Sequence, residues 1–308
     1  MSDHTAVRAN TLAWAASHLA AGERIVRADV LLGGITAEMR RLTIGSLNGD
    51  TRTLVLRSYV GVGNANHALT REAAALTMLA ATEVTAPELV GVDPLAAECE
   101  YPSLLMTHLP GRAVLEDKGV EARIPLLARE LVAIHAIQPI EQPPIYETLT
   151  TADTVVTPPG VNAQAWSAAI EIIRRSAPSY EGRYLHRDFQ PGNVLFGGPI
   201  TALTGVADWA SPCWGPADLD VAHCATNLAV LHSAAWGLQF VSAYEAAGGT
   251  LAAGPAERQY WLVRDALALS EDIDLISQAW RAAGRPDLTT RAAERRLDAY
   301  LTTLLNAT

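Results

Sequence analysis

The sequence predicts an α+β chain in which a strand-rich first third precedes a helical remainder. Three observations carry that expectation. Short apolar runs with strand character, separated by turn signals, recur between residues 25 and 107. From about residue 122 onward the apolar spacing turns helical. The 308 residues are 49% hydrophobic and 18% charged, which supports a sizeable core and places the chain among ordinary globular proteins.

The elements follow in order. Residues 5–20 space Ala, Leu and Trp at helical intervals, and Gly22 closes that segment. Strands are expected over 25–32, 38–44 and 53–59, with Gly33-Gly34 dividing the first pair. Asn48-Gly49-Asp50 divides the second pair and is a strong hairpin signal. An amphipathic helix over 66–81 is followed by short strands over 89–92 and 103–107. After Pro110-Gly111 come a helix over 122–137, a Pro- and Thr-rich connection over 138–160, and a helix over 164–176. From Ala217 the period is helical almost to the end, including one helix running from Trp261 to Trp280.

Charge and cysteine usage narrow the partners. The net charge of -10 repels a polyanion and no basic patch stands against it, so no nucleic acid is expected. The N-terminus has no apolar leader, and the apolar stretch 227–248 contains His232, Gln239 and Glu245, so no membrane span is expected. Cys99, Cys213 and Cys224 have no paired spacing and read as reduced thiols of a cytoplasmic protein.

Chemistry concentrates in one segment. Residues 184–196, Y-L-H-R-D-F-Q-P-G-N-V-L-F, contain H-x-D-x-x-x-x-N, and an apolar run then leads to Asp208-Trp209. That is the arrangement of a kinase catalytic loop. Phosphoryl transfer needs a carboxylate beside the attacking hydroxyl and oxygen ligands that hold Mg2+ against phosphate. Asp188 suits the first task, while Asn193 and Asp208 suit the second. Seven residues separate Asp208 from Pro216, too few for a phosphorylated activation loop, so the acceptor is expected to be small or docked differently from a protein-kinase substrate.

These segments resemble the aminoglycoside phosphotransferase family of small-molecule kinases, whose loop reads close to H-G-D-x-x-P-G-N before a D-W or D-F strand end. The resemblance extends over about residues 31–222. It implies a bilobal protein-kinase-like fold: a nucleotide-binding lobe over 1–108 and a catalytic and substrate-binding lobe over 109–308. It implies ATP and Mg2+ as cofactors, Asp188 as base, and Asn193 and Asp208 as metal ligands. His186 and Asp220, the latter within W-G-P-A-D-L-D-V-A, would support the catalytic loop. Gly33 and Gly34 would form the turn over the nucleotide, where the missing Cβ lets backbone approach phosphate. Met106 and His108 would lie at the adenine-binding hinge. Two positions depart from the kinase pattern: Arg57 stands where protein kinases carry Lys, and Trp209 where D-F-G has Phe. Arg57 is expected to span phosphates and pair with Glu72 on the following helix.

In the resembling family, acidic side chains on C-terminal helices bind amine-bearing substrates. Asp265, Glu271, Asp272 and Asp274 form such a group, and Glu271 and Asp274, three residues apart, are the substrate candidates. The expected activity is ATP-dependent O-phosphorylation of a small hydroxylated molecule, with an aminoglycoside or similar antibiotic first in line. A metabolic kinase for a sugar, amino alcohol or amino acid is an alternative, as is a catalytically silent binding module. A monomer or a dimer fits equally.

Overall fold

A computed structural model describes residues 8–31, 37–148, 150–198 and 202–306. The chain divides into two compact units: Met1–Pro110 with Ala207–Ser211, and Gly111–Val206 with Pro212–Thr308. The short segment carrying Asp208 thus belongs with the N-terminal unit rather than with the chain around it.

The first unit comprises α1 (Ala9–Ser17), β1 (Arg24–Leu31), β2 (Glu38–Gly45), β3 (Thr51–Ser58), α2 (Ala65–Leu79), β4 (Leu89–Asp93) and β5 (Ser103–Thr107). All strand pairs are antiparallel, and the order β1-β2-β3-β5-β4 puts β3 and β5 inside the sheet. The Asn48-Gly49 turn joins β2 to β3, with Gly49 at φ 84°, a conformation glycine takes without penalty. Trp14, Leu42, Ile44, Leu54, Leu56 and Leu105 bury one core between sheet and α1. The start of α1 is fixed by Glu100, whose carboxylate accepts the N–H groups of Asn10 and Thr11 that the first helical turn leaves unpaired.

The second unit comprises β6 (Arg112–Ala113), α3 (Val120–His135), α4 (Ala163–Arg174), β7 (Gly182–Leu185), β8 (Val194–Gly197), β9 (Ala202–Val206), β10 (Cys213–Pro216), α5 (Ala217–Leu231), α6 (Ala234–Ala246), α7 (Pro255–Glu271), α8 (Ile273–Ala282) and α9 (Thr290–Asn306). Two small antiparallel sheets, β6-β8-β9 and β10-β7, frame the loop that joins β7 to β8. Almost every residue of α5 is buried, including the polar Asp218, Asp220, Thr226 and Asn227. Trp166, Val263, Leu267, Tyr300 and Leu301 centre the core where α4, α7 and α9 meet. An antiparallel sheet in the N-terminal region and helices in the C-terminal region make this the protein-kinase-like fold.

Two local expectations are corrected. The helix predicted over 261–280 is two helices that break at Asp272. Glu271 and Asp272 are disfavoured at the carbonyl end of one helix and favoured at the amide end of the next, so the acidic pair is a natural break point. Asp208 lies past the end of β9 rather than on it, in the left-handed region at φ 64°. Among the described residues the three cysteines are buried and none is in a disulfide, and no helix is long and apolar enough to cross a membrane.

Candidate active site

In the first unit, β3 and α2 bring three predicted residues together. Arg57 Nη1 donates to both Glu72 carboxylate oxygens at 2.9 Å and to Asp208 Oδ1 at 3.0 Å. Arg57 and Glu72 are buried, whereas the Asp208 side chain is 38% exposed and so accessible to a ligand. Burial opposes the guanidinium charge, but Glu72 and Asp208 outweigh it and move the Arg57 pKa up, so the group stays charged. Met106 pairs with Val55 and Leu89 inside the sheet. The His108 N–H is donated to Thr53 O at 3.3 Å, so the backbone group this residue has left for a base is its carbonyl, an acceptor. Gly33 and Gly34 lie outside the described residues.

In the second unit, the loop after β7 is held from below by a buried carboxylate. Asp220, in the first turn of α5 and with no exposed surface, accepts the N–H groups of His186 at 2.7 Å and Arg187 at 2.9 Å. Arg187 has φ 72°, a conformation that L residues other than Asn or Asp rarely adopt. The two hydrogen bonds to Asp220 hold it there. Burial raises the Asp220 pKa, but hydrogen bonding and electrostatic attraction to His135, whose Nε2 lies 3.3 Å away, bring it down to about 2. His135 in turn meets the Tyr244 hydroxyl at 2.7 Å, which fixes its ring in the core. His186 is fully buried and its Nδ1 accepts the N–H of Asp188 at 3.1 Å.

Above that support sits Asp188. Asn193 Nδ2 donates to its carbonyl at 2.9 Å and to its Oδ2 at 2.7 Å, which leaves Asn193 Oδ1 as the atom this side chain can offer a cation. The loop closes because Asn193 and Gly192 donate their N–H groups to the backbone and side chain of Gln190. Asp188 Oδ1 lies 3.1 Å from His223 Nε2, on α5, and His223 Nδ1 lies 3.1 Å from Asp265 Oδ1, on α7. Burial pushes the Asp188 pKa up, but His223, then His186 and Asn193, more than offset it, so the carboxyl sits below its usual range. A carboxylate held ionised, with lone pairs to spare on both oxygens, can orient an incoming hydroxyl and take its proton.

Next to Asp188 the second unit contains a cavity of ≈ 190 Å³, lined by Arg187, Leu219, Asp265, Ala268, Glu271 and Asp272 among others. One wall is the connection between α3 and α4, tied down where Arg264 Nη2 donates to Thr150 O at 2.7 Å. Glu271 therefore faces a cavity. Asp274 is engaged elsewhere, accepting the Thr290 hydroxyl at 2.6 Å, so the break at Asp272 separates the two predicted substrate residues. His223 escaped the sequence reading. Its three-residue spacing from Asp220 on one helix was the available signal, since that spacing puts both on one face toward the loop.

Comparison with known proteins fits this architecture. No curated protein matches the chain in sequence. Among solved structures, a candidate aminoglycoside phosphotransferase from Ralstonia eutropha JMP134 is similar at a TM-score of 0.62 and 16% identity, covering 96% of this chain and 98% of that one. Macrolide 2'-phosphotransferase type I is similar at 0.61 and 18% identity, with 95% and 98% covered. A thermostable form of aminoglycoside phosphotransferase APH(4)-Ia, solved with ADP and hygromycin B, is similar at 0.60 and 16% identity, with 91% and 95% covered. These likenesses show a shared fold. The profile of the phosphotransferase enzyme family matches residues 40–261, a span that holds Arg57, Asp188, Asn193, Asp208 and Asp220. With that match over more than two thirds of its length, the chain belongs to the phosphotransferase enzyme family and is an enzyme that transfers a phosphoryl group to a hydroxyl acceptor.

Proposed function

We propose that the enzyme uses Mg-ATP to phosphorylate a hydroxyl group of a small polar molecule, with an aminoglycoside or similar antibiotic as the first acceptor class to test. The observation that carries this reading is Asp188: an ionised carboxylate, hydrogen-bonded by Asn193 and His223, on a loop anchored to buried Asp220. APH(4)-Ia, of the same fold, binds ADP and hygromycin B together, which supports a nucleotide and a small hydroxylated acceptor here.

The residues fit the cofactors. Asn193 Oδ1 and the partly exposed Asp208 carboxylate are hard oxygen donors of the kind Mg2+ takes, and they would hold it. Bound magnesium would neutralise phosphate charge as transfer proceeds. Arg57 would meet the nucleotide phosphates with guanidinium N–H groups beyond those it gives Glu72 and Asp208. Asp188 would accept a hydrogen bond from the acceptor hydroxyl and take its proton late, since its lowered pKa makes it a weak base and the transition state is loose. Its work is positioning, and the acceptor would lie in the cavity that Glu271 and Asp265 line.

The test is mass spectrometry of aminoglycosides, macrolides, sugars and amino alcohols incubated with enzyme and Mg-ATP. A single phosphoryl gain confined to one acceptor class is expected. Nucleotide binding with no transfer to any class overturns the reading.

A further inference from the structure

His223, which hydrogen-bonds Asp188, sits between two carboxylates. Nε2 is 3.1 Å from Asp188 Oδ1 and Nδ1 is 3.1 Å from Asp265 Oδ1. An ionised carboxylate only accepts, so each contact requires an N–H on the ring, and a ring with both is an imidazolium. Asn227, one turn along α5, donates its side-chain N–H to the His223 carbonyl at 2.8 Å; the same nitrogen lies 3.3 Å from Nε2, a packing contact only, since a protonated Nε2 has no lone pair to accept with. The ring is 19% exposed and Asp265 9%, so these two are shielded from solvent, while the Asp188 side chain, 42% exposed, opens outward.

We infer that His223 is a positioning residue for phosphoryl transfer: an imidazolium, held by Asp265, that fixes the orientation of the Asp188 carboxylate toward the acceptor. The inference rests on the proposed role of Asp188 as the group that receives the acceptor hydroxyl. The loop backbone sets where Asp188 begins, through Asp220 and His186. It does not set the rotation of the carboxylate. That rotation is fixed at one oxygen by Asn193 and at the other by His223. Loss of the second tie would leave the plane of the carboxylate free to turn about the first, and misplacement on the scale of an ångström costs on the order of 100-fold in rate.

Asp265 has two functions in this array. It supplies the second negative charge that keeps the ring protonated in a shielded setting, and it fixes which edge of the ring faces Asp188. Burial disfavours the charged ring, but Asp265 and Asp188 outweigh it and push its pKa up to about 10. The charged groups facing the ring are thus Asp188 from the catalytic loop and Asp265 from α7. Behind Asp265, the Tyr300 hydroxyl of α9 and the Cys224 thiol are neutral, both raised by burial.

Two readouts test the inference. Histidine-labelled NMR of the full chain at about pH 8, with His223 identified by its loss in His223→Gln, is expected to show an imidazolium in wild type and a neutral ring in Asp265→Asn. A neutral wild-type ring overturns the inference, and this readout needs no acceptor. With the acceptor that the panel identifies, His223→Gln and Asp265→Asn are expected to lower kcat by roughly 10- to 100-fold with the KM for ATP unchanged. Wild-type kcat in His223→Gln, where Asp188→Asn is inactive, overturns it. A failed panel alongside a charged ring counts against the phosphotransfer reading and leaves the clamp standing.

Discussion

Two residues bind protons in opposite senses, and their contributions to stability separate by pH. Asp220 titrates at about 2 in the fold against 3.8 for an ordinary aspartate. Its stabilisation is therefore complete above that ordinary value and is lost as pH falls through 2, a contribution of roughly 2 kcal/mol at neutral pH. Asp220→Asn is expected to lower the melting temperature at pH 7 and to make the fall between about pH 4 and pH 2 shallower, Glu23 and Glu100 carrying much of the remainder. His223 behaves in reverse. Its pKa is raised from 6.5 to about 10, so its contribution is complete below 6.5 and is lost as pH rises through 10. Melting temperatures of wild type should fall between these limits, and those of His223→Gln should fall less, most visibly below about pH 9 where the buried thiols Cys99 and Cys224 do not yet contribute. Parallel pH curves for variant and wild type would contradict either assignment.

At the scale of elements, helices α5 and α6 meet at Gly237. A Cβ built there would lie 2.5 Å from the carbonyl oxygen of Ala225 and 3.1 Å from the Ala229 Cβ. The obstacle is backbone, which cannot swing aside as a flexible side chain would. Gly237→Ala should therefore destabilise by about 1–3 kcal/mol despite the better helix propensity of Ala, read as a fall in melting temperature of several degrees. An unchanged or raised melting temperature would mean that the helices do not approach this closely.

The same scale explains what the sequence made legible. The β2–β3 hairpin was readable because Asn48-Gly49 and flanking apolar runs are local signals. The pairing of β10 with β7 was not, because C-W-G-P has no alternation and its partner lies about 30 residues away. Asp188, Asn193 and Asp220 were readable as a spaced motif. The link from Asp188 through His223 to Asp265 was hidden because it joins a loop and two helices far apart in sequence, and tertiary packing alone brings them together. The separation of Glu271 from Asp274 was likewise invisible to a helical period that runs across Asp272 unbroken.

At the scale of the whole molecule, the charge of -10 is unevenly used. Glu72 and Asp208 hold Arg57 in the first unit, and Asp188 and Asp265 hold His223 in the second. Glu271 and Asp272 line the cavity beside them. Each unit thus holds a cation between a pair of carboxylates, and transfer of a phosphoryl group past Asp188 is the function proposed for the second. Asp188→Asn tests it most directly, because the amide keeps the shape of the side chain and still accepts a hydrogen bond but cannot take a proton. The measurement is phosphoryl transfer to the identified acceptor alongside calorimetric binding of a non-hydrolysable ATP analogue with Mg2+. Nucleotide affinity is expected to stay within about threefold of wild type while transfer falls by roughly 100-fold or more. Transfer at the wild-type rate in that variant would contradict it.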